Sequence, residues 1–524
     1  MQIGTRIRIN WGDRGGIWRG KKTFLEKGVG VKGLVPILAG IVLAFISSAG
    51  YGAETSDDTE TCLECHSVLT PGIVEAWKRS RHAAVSPEEG LRKQALERRI
   101  STEEIPQRLL PVTVGCVECH TLNSESHGDT FEHNDYQVHI VVSPSDCAVC
   151  HVKEERQFAR NIMSTAHGNL VGNSLYMDLV KQINGVQVFD GNEVDVRPPV
   201  PETNADSCLY CHGTVVKVTG MMKRETDLAD VEIPLLSGWP NQGVGRINPD
   251  GTRGSCSSCH TRHEFSIKMA RSPQTCSECH KGPDVPAYPV YLVSKHGNIY
   301  GATGSGWDFD SVPWRPGKDF SAPTCATCHV SLLVNGEGEV ISERTHQMND
   351  RLPWRLFGVV YAHAHPKSPD ISIIRNKSGF PLATELTGEP ATGYLIGPGE
   401  QEKRLDTMKA VCLSCHGTGW VQGHFNRLGN TILTSNEMTL TATRLVMEAW
   451  KRGAAKGMDK GESIFNEAIE RKWVRQWLFY ANSVRLASAM AGADYGTFAN
   501  GRWYMAENIR EMIDWLEFKG KAKE

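Results

Sequence analysis

The chain has 524 residues, with 57 Lys and Arg against 60 Asp and Glu, for a formal net charge of −3. That balance speaks against a nucleic acid or an anionic membrane surface as partner. It also carries 16 cysteines and 19 histidines, and these are not scattered.

Residues 1–53 begin basic, with Arg6, Arg8, Arg14, Arg19, Lys21, Lys22, Lys27 and Lys32. The apolar run LVPILAGIVLAFI (34–46) and the small residues SSAGYGA (47–53) follow. A bilayer span needs about 20 apolar residues, so this run is short, and Pro36 weakens it as a helix. Segment 1–53 therefore reads as a secretory signal peptide cleaved between Ala49 and Ala53. The long charged lead keeps a retained N-terminal anchor as the alternative.

Residues 54–430 hold every cysteine. The pattern Cys-x-x-Cys-His occurs at Cys62, Cys65 and His66; Cys116, Cys119 and His120; Cys147, Cys150 and His151; and Cys208, Cys211 and His212. It returns at Cys256, Cys259 and His260; Cys276, Cys279 and His280; Cys325, Cys328 and His329; and Cys412, Cys415 and His416. Two thiols three residues apart reach the two vinyl groups of one porphyrin, and the next residue, His, ligates its iron. This is the attachment signature of c-type heme, and eight copies predict eight covalently bound heme c. Zinc ribbons pair their CxxC units and need no following His. A disulfide framework has no use for eight identical histidines. Such hemes are attached outside the cytoplasm, which agrees with export to the periplasm or another extracytoplasmic compartment, such as an anammoxosome lumen.

Between the motifs, VRPPVPETNAD (196–206) and GWPNQGVGRINPDGTRG (238–254) are rich in Gly and Pro. Helices here are expected to be short, with the hemes forming most of the core and lying close enough for electrons to hop. Eleven histidines remain outside the motifs: His82, His127, His133, His139, His167, His263, His296, His346, His363, His365 and His424. Seven second ligands would saturate seven irons and leave one open. Six-coordinate iron passes electrons, whereas an open position binds substrate.

From 431 to 524 cysteine and histidine vanish. MTLTATRLVMEAWKRG, ESIFNEAIERKWVRQWLFYANSVRLASAM and RWYMAENIREMIDWLEF place apolar residues at the helical period. They predict three long helices, the last two separated by Gly-Ala-Asp-Tyr-Gly (492–496).

CSSCHTRHEFS (256–266), APTCATCH (322–329), SKHG (294–297), AWKRSRHA (76–83) and ERTHQM (343–348) resemble the octaheme hydroxylamine oxidoreductase / hydrazine dehydrogenase family. The resemblance implies a mostly α multiheme cytochrome c with a heme-packed core and a long C-terminal helical bundle, assembled as a homotrimer. It implies that the fourth heme, on Cys208, Cys211 and His212, is catalytic and lacks a distal protein ligand. It carries distal ligation onto His82, His167, His263, His296 and His346. One of His133 and His139 is expected to supply a further ligand, with His139 the preferred choice, and one of His363 and His365 the seventh, with His365 preferred. His127 and His424 are left as bystanders.

The family places an acid followed by histidine in the catalytic pocket. Here Asp284 is followed by Val285, so the carboxylate stays and the imidazole is gone. On residues alone, Asp284 reads as a turn cap in GPDVP. The family also cross-links a C-terminal tyrosine to the catalytic heme of a neighbouring subunit. Tyr495, in GADYGTF, is the best match and Tyr504 a weaker one, against an ordinary helix-cap aromatic.

Three functions are weighed on these grounds. The first is oxidation of hydroxylamine, or hydrazine, with electrons passed through seven bis-histidine hemes to a cytochrome c-type partner. The second is the reverse, a nitrite or hydroxylamine reductase. The third is a non-catalytic multiheme electron-transfer protein. The tyrosine favours the first and the lost histidine an altered substrate or direction, and the first is the preferred reading.

Overall fold

The computed structural model describes residues 53–225, 230–457 and 462–521. The signal or anchor expected over 1–53 lies, but for its last residue, outside the described residues. No helix among the described residues is long and apolar enough to cross a membrane.

The fold is mostly helical. Its strands form five two-stranded antiparallel sheets among the described residues. The attachment motifs ride on short helical pieces such as Val117–His120, Cys208–His212 and Cys325–His329, and on the longer helices Asp57–Leu69, Pro144–Ala159 and Pro398–Leu413. One helical turn is what the motif needs, because residues three apart share a face. The turn is closed by the histidine N–H donating to the first cysteine's carbonyl at His120, His260, His280 and His416, at 2.9–3.0 Å.

The apolar core is displaced toward the C-terminus. Every fully buried member of the six hydrophobic clusters among the described residues lies at position 290 or later. The largest joins Val446, Ile469, Trp473, Trp477 and Met512. The stretch that carries the first six motifs has no such cluster of its own. A chain of this kind needs another large apolar body to bury, as expected for a heme-packed core.

The C-terminal helices differ from expectation in one respect. The first begins at Thr418, just after His416, and runs unbroken to Lys451. Heme-carrying and helical regions therefore share an element, with no break at 430. The second runs from Ala468 to Met490 through a π-helical turn at Arg475–Tyr480. Ala491 in the left-handed conformation ends it, and the last helix spans Arg502–Lys521.

Candidate functional site

All 16 cysteines are free of disulfides. Their thiols nevertheless meet across motifs: Cys62 with Cys116, Cys147 with Cys256, Cys276 with Cys325, and Cys211 with Cys279. Charge coupling adds Cys119 to Cys150, Cys259 to Cys276 and Cys328 to Cys412. Counted in sequence order, the motifs thus neighbour one another as first, second, third, fifth, sixth, seventh and eighth. The fourth branches from the sixth through Cys211 and Cys279. Burial pushes the Cys119, Cys259 and Cys328 thiols up to about 12, so they stay protonated until covalently engaged.

Five motif histidines face a second histidine. Ring centres are 6.2 Å apart for His66 and His133, 6.3 Å for His151 and His82, and 6.4 Å for His120 and His263. They are 6.4 Å apart for His260 and His346, and 6.0 Å for His416 and His296. With metal–nitrogen bonds of about 2.0–2.1 Å, two imidazoles on opposite sides of one ion stand roughly 6 Å apart between centres. The spacing therefore fits an iron held between each pair.

Desolvation lowers His82, His260 and His263 to about 4 and His346 to about 3. These rings stay neutral near pH 7, the form that ligates metal.

Both His133 and His139 stand at about this spacing from a motif histidine: His133, at the tip of the hairpin Thr130–His139, is 6.2 Å from His66, and His139 is 5.9 Å from His120, which also faces His263. The His139 ring stacks on His127 at 3.7 Å, and its carbonyl accepts from His120 Nδ1 at 2.7 Å. The His139 carbonyl thus meets the Nδ1 side of His120, where it orients that ring.

Among the described residues, no histidine ring packs against His212, His280 or His329. His363 and His365 are both buried, with Nδ1 turned to the Ala364 and Pro366 carbonyls at 2.7 and 3.2 Å. Burial lowers them to about 4 and about 3. His424 stands behind Trp420, which stacks on His416 at 4.0 Å.

His212 sits in a reciprocal clamp. Its Nδ1 donates to Ala166 O at 3.1 Å, and His167 Nδ1 donates to Gly213 O at 2.7 Å. Each ring therefore offers Nε2. The approach depends on two glycines. Gly213 has φ +93°, and a Cβ at Gly245 would lie 2.6 Å from His167 N and 2.7 Å from His212 O. Burial lowers the His212 pKa, and the Asp284 carboxylate opposes that.

Asp284 is exposed, and its charge also acts on His280, Cys208 and Cys211. It thus lies where the fourth and sixth motifs meet. Asn482, from the second C-terminal helix, donates Nδ2 to the Asp284 carbonyl at 2.9 Å. Arg355 adds the opposite charge: it lowers His212, His363 and His365 and forms no ion pair with any carboxylate among the described residues. A lone Asn and a lone Arg carry no sequence signal, so neither was expected here.

Tyr495 is half-buried against Val290, Leu486 and Ala487. Tyr504 stacks on Tyr480 at 5.6 Å. Neither ring is brought to the His212 of its own chain.

Residues 229–355 match the family described as seven-times multi-haem cytochrome CxxCH, and residues 61–152 match cytochrome c554 and c-prime. A solved "hypothetical multiheme protein" is 39% identical, with TM-score 0.84 over 90% of this chain and 98% of that one. The reducing HAO-like protein complex of Kuenenia stuttgartiensis is 18% identical, with TM-score 0.59 over 89% of this chain and 86% of that one. A probable nitrite reductase–hydroxylamine oxidoreductase fusion protein of Kuenenia stuttgartiensis is 27% identical over 376 residues. That match takes in 68% of this chain but only 34% of the fusion, so the chain spans about a third of that relative's length.

Proposed function

Given that this chain belongs to the multiheme c-type cytochromes and has the fold of HAO-like proteins, we propose that it is an octaheme oxidoreductase of small nitrogen compounds. The proposed reaction is oxidation of hydroxylamine, or hydrazine, at the heme attached through Cys208, Cys211 and His212. The observation that carries this reading is that the Asp284 charge acts on His212 at a motif where, among the described residues, no second histidine ring packs.

When bound, the heme supplies an iron that accepts electrons from a small nitrogen ligand. The chain's residues do the rest. The Ala166 carbonyl fixes His212 with Nε2 free to ligate. Asp284 takes protons from a substrate losing hydrogen. Asn482 holds the Asp284 backbone. His82, His133, His263, His296 and His346 serve as second ligands at five other motifs. His167, His363 and His365 are the remaining candidates for the sixth and seventh, with His365 preferred over His363. The branch from the fourth motif to the sixth gives electrons two ways out, toward the eighth or toward the first, to a cytochrome c-type partner.

Exposed Phe498, just before the last helix, and exposed Trp503 and Phe518 on it support a homotrimer. There Tyr495 would reach the His212 heme of a neighbour and cross-link to it. Covalent heme attachment supports an extracytoplasmic location.

Arg355 favours a second reading. An unpaired cation near His212 suits anionic nitrite better than neutral hydroxylamine, and the relative's name includes nitrite reductase. The test is to supply the purified heme-loaded protein with hydroxylamine plus an oxidised cytochrome c, and separately with nitrite plus a reductant. Oxidation predicts cytochrome reduction that depends on hydroxylamine. A red-shifted band in the reduced spectrum and subunits that stay covalently joined would support the cross-link. Turnover of nitrite alone would shift the assignment to reduction, and turnover of neither would leave an electron conduit.

A further inference from the structure

Behind the second motif lies a polar cluster that plays no part in heme ligation. Three carboxylates, Asp129, Asp146 and Asp250, surround His127, and the side chains of all four are at most 2% exposed. His127 Nδ1 faces Asp129 Oδ1 at 3.3 Å. On its other side, His127 Nε2 lies 3.2 Å from Asp146 Oδ2 and 3.9 Å from Asp250 Oδ2. That Nε2 has no hydrogen-bond partner of acceptable geometry. No lysine or arginine among the described residues forms an ion pair with any of the three carboxylates. Arg246, the nearest cation acting on the group, spends its hydrogen bonds on Asn248 and the Asn241 carbonyl.

Buried charge of one sign needs a counter-charge, and a protonated His127 would supply only one against three carboxylates. The carboxylates are already oriented. Asp129 Oδ2 accepts from the Ile140 and Val141 N–H groups, Asp146 from Ser143 N and Asn123 Nδ2, and Asp250 Oδ2 from the Ser143 and Ser145 hydroxyls. These contacts aim oxygens at His127 Nε2 without neutralising them. The separations of 3.2 and 3.9 Å from His127 Nε2 to Asp146 Oδ2 and Asp250 Oδ2 are close to the edges of a coordination shell whose metal–ligand bonds are about 2.0–2.2 Å, and the donor atoms of His127, His139 and Asp146 lie within 4.8 Å of one another.

We propose that His127 Nε2, Asp146 Oδ2 and Asp250 Oδ2 form a site for a divalent metal ion of the zinc or manganese class, separate from the hemes. One imidazole with two carboxylates suits such ions, with water completing the shell. His139 is the wall of the site and not a ligand. Its ring is stacked within 8° of parallel to His127, so the two rings cannot both point at one ion, and its Nε2 faces the Leu122 carbonyl at 2.9 Å. Because the His139 carbonyl holds His120 Nδ1, an ion here braces the support of the second motif's ligand.

The same negative field acts on a proton. Burial alone would lower His127, but Asp129, Asp146 and Asp250 together raise it to about 9.

The test is the non-iron metal content of the full-length, heme-loaded protein, measured by inductively coupled plasma mass spectrometry after dialysis against zinc or manganese and then metal-free buffer. About one equivalent per chain is expected, dropping at least tenfold in His127→Gln and in Asp250→Asn while the heme-to-protein ratio holds. Asp250→Asn covers the case in which His127→Gln fails to fold. No bound metal in the wild type would overturn the site, as would metal retained undiminished in a folded variant. Neither result bears on the reaction at His212.

Discussion

His296 and His416 face each other with ring centres 6.0 Å apart, although one follows the sixth attachment motif and the other belongs to the eighth. A segment that follows His280 thus reaches across to a different motif, where His296 is placed to serve as the second ligand. His296→Ala is expected to leave the eighth heme with one protein ligand. Electron paramagnetic resonance should then show one heme's worth of signal moving from low-spin to high-spin, the rest unchanged. An unaltered low-spin population would remove His296 from the ligand set.

Asp284 acts on His212 and His280 together and is held from behind by Asn482. Asp284→Asn keeps the shape and removes the base. General-base loss is worth roughly 10²–10⁴-fold in kcat, so hydroxylamine-dependent cytochrome c reduction should fall within that range while heme content and the oxidised spectrum stay constant. Asn482→Ala should cost less, because the carboxylate survives and only its placement loosens. Full activity in Asp284→Asn would return the residue to its plain role in the GPDVP turn.

The motifs were legible because covalent attachment imposes a local spacing that no tertiary context can alter. The candidate second ligands were named through the resemblance, but which motif each one faces is fixed by contacts between distant segments. His82 meets His151 and His133 meets His66 only after the chain has folded.

The start of the helix Thr418–Lys451 was missed for another reason. Gly419, Gly423 and Gly429 each cost about 1 kcal/mol in a helix, and the apolar pattern named in the sequence begins only at Met438. The buried face of Val421, Phe425, Leu428 and Ile432 outweighs the cost by packing. The cluster around His127 was invisible because Asp129, Asp146 and Asp250 are ordinary acids until the fold encloses them.

Glu154 ties the helix Pro144–Ala159 to the segment that presents His346. Its Oε1 accepts from Arg344 Nη2 at 2.6 Å and its Oε2 from Ser101 Oγ at 2.6 Å. Burial would raise its pKa, but Arg344 and Ser101 bring it below the usual carboxylate value. A folded pKa below the unfolded one means that the unfolded chain binds the proton more tightly. The stabilisation is therefore complete above the unfolded value of about 4.3 and is lost as pH falls through the folded value. Glu154→Gln should lower stability at pH 7 by about 1–3 kcal/mol, and the deficit should shrink toward pH 3. Thermal unfolding followed across that range checks both; a deficit independent of pH would show that the carboxylate's charge is not the cause.

His133 adjoins the turn of the hairpin and pairs with Tyr136, whereas His139 stands at its open end opposite Thr130, and the two face different surroundings. His133 looks at His66, whose Nδ1 is held by Thr70 Oγ1 at 2.9 Å, leaving Nε2 for metal. His139 stacks on His127 and lends only its carbonyl to His120. His133→Ala should therefore turn one heme high-spin, whereas His139→Ala should keep all low-spin hemes, because the carbonyl remains. Removing the ring takes away the stacking partner of His127, so His139→Ala should shift the midpoint potential of one heme without changing its spin state. The reverse pattern, with spin lost in His139→Ala and kept in His133→Ala, would make His139 the ligand and His133 the support.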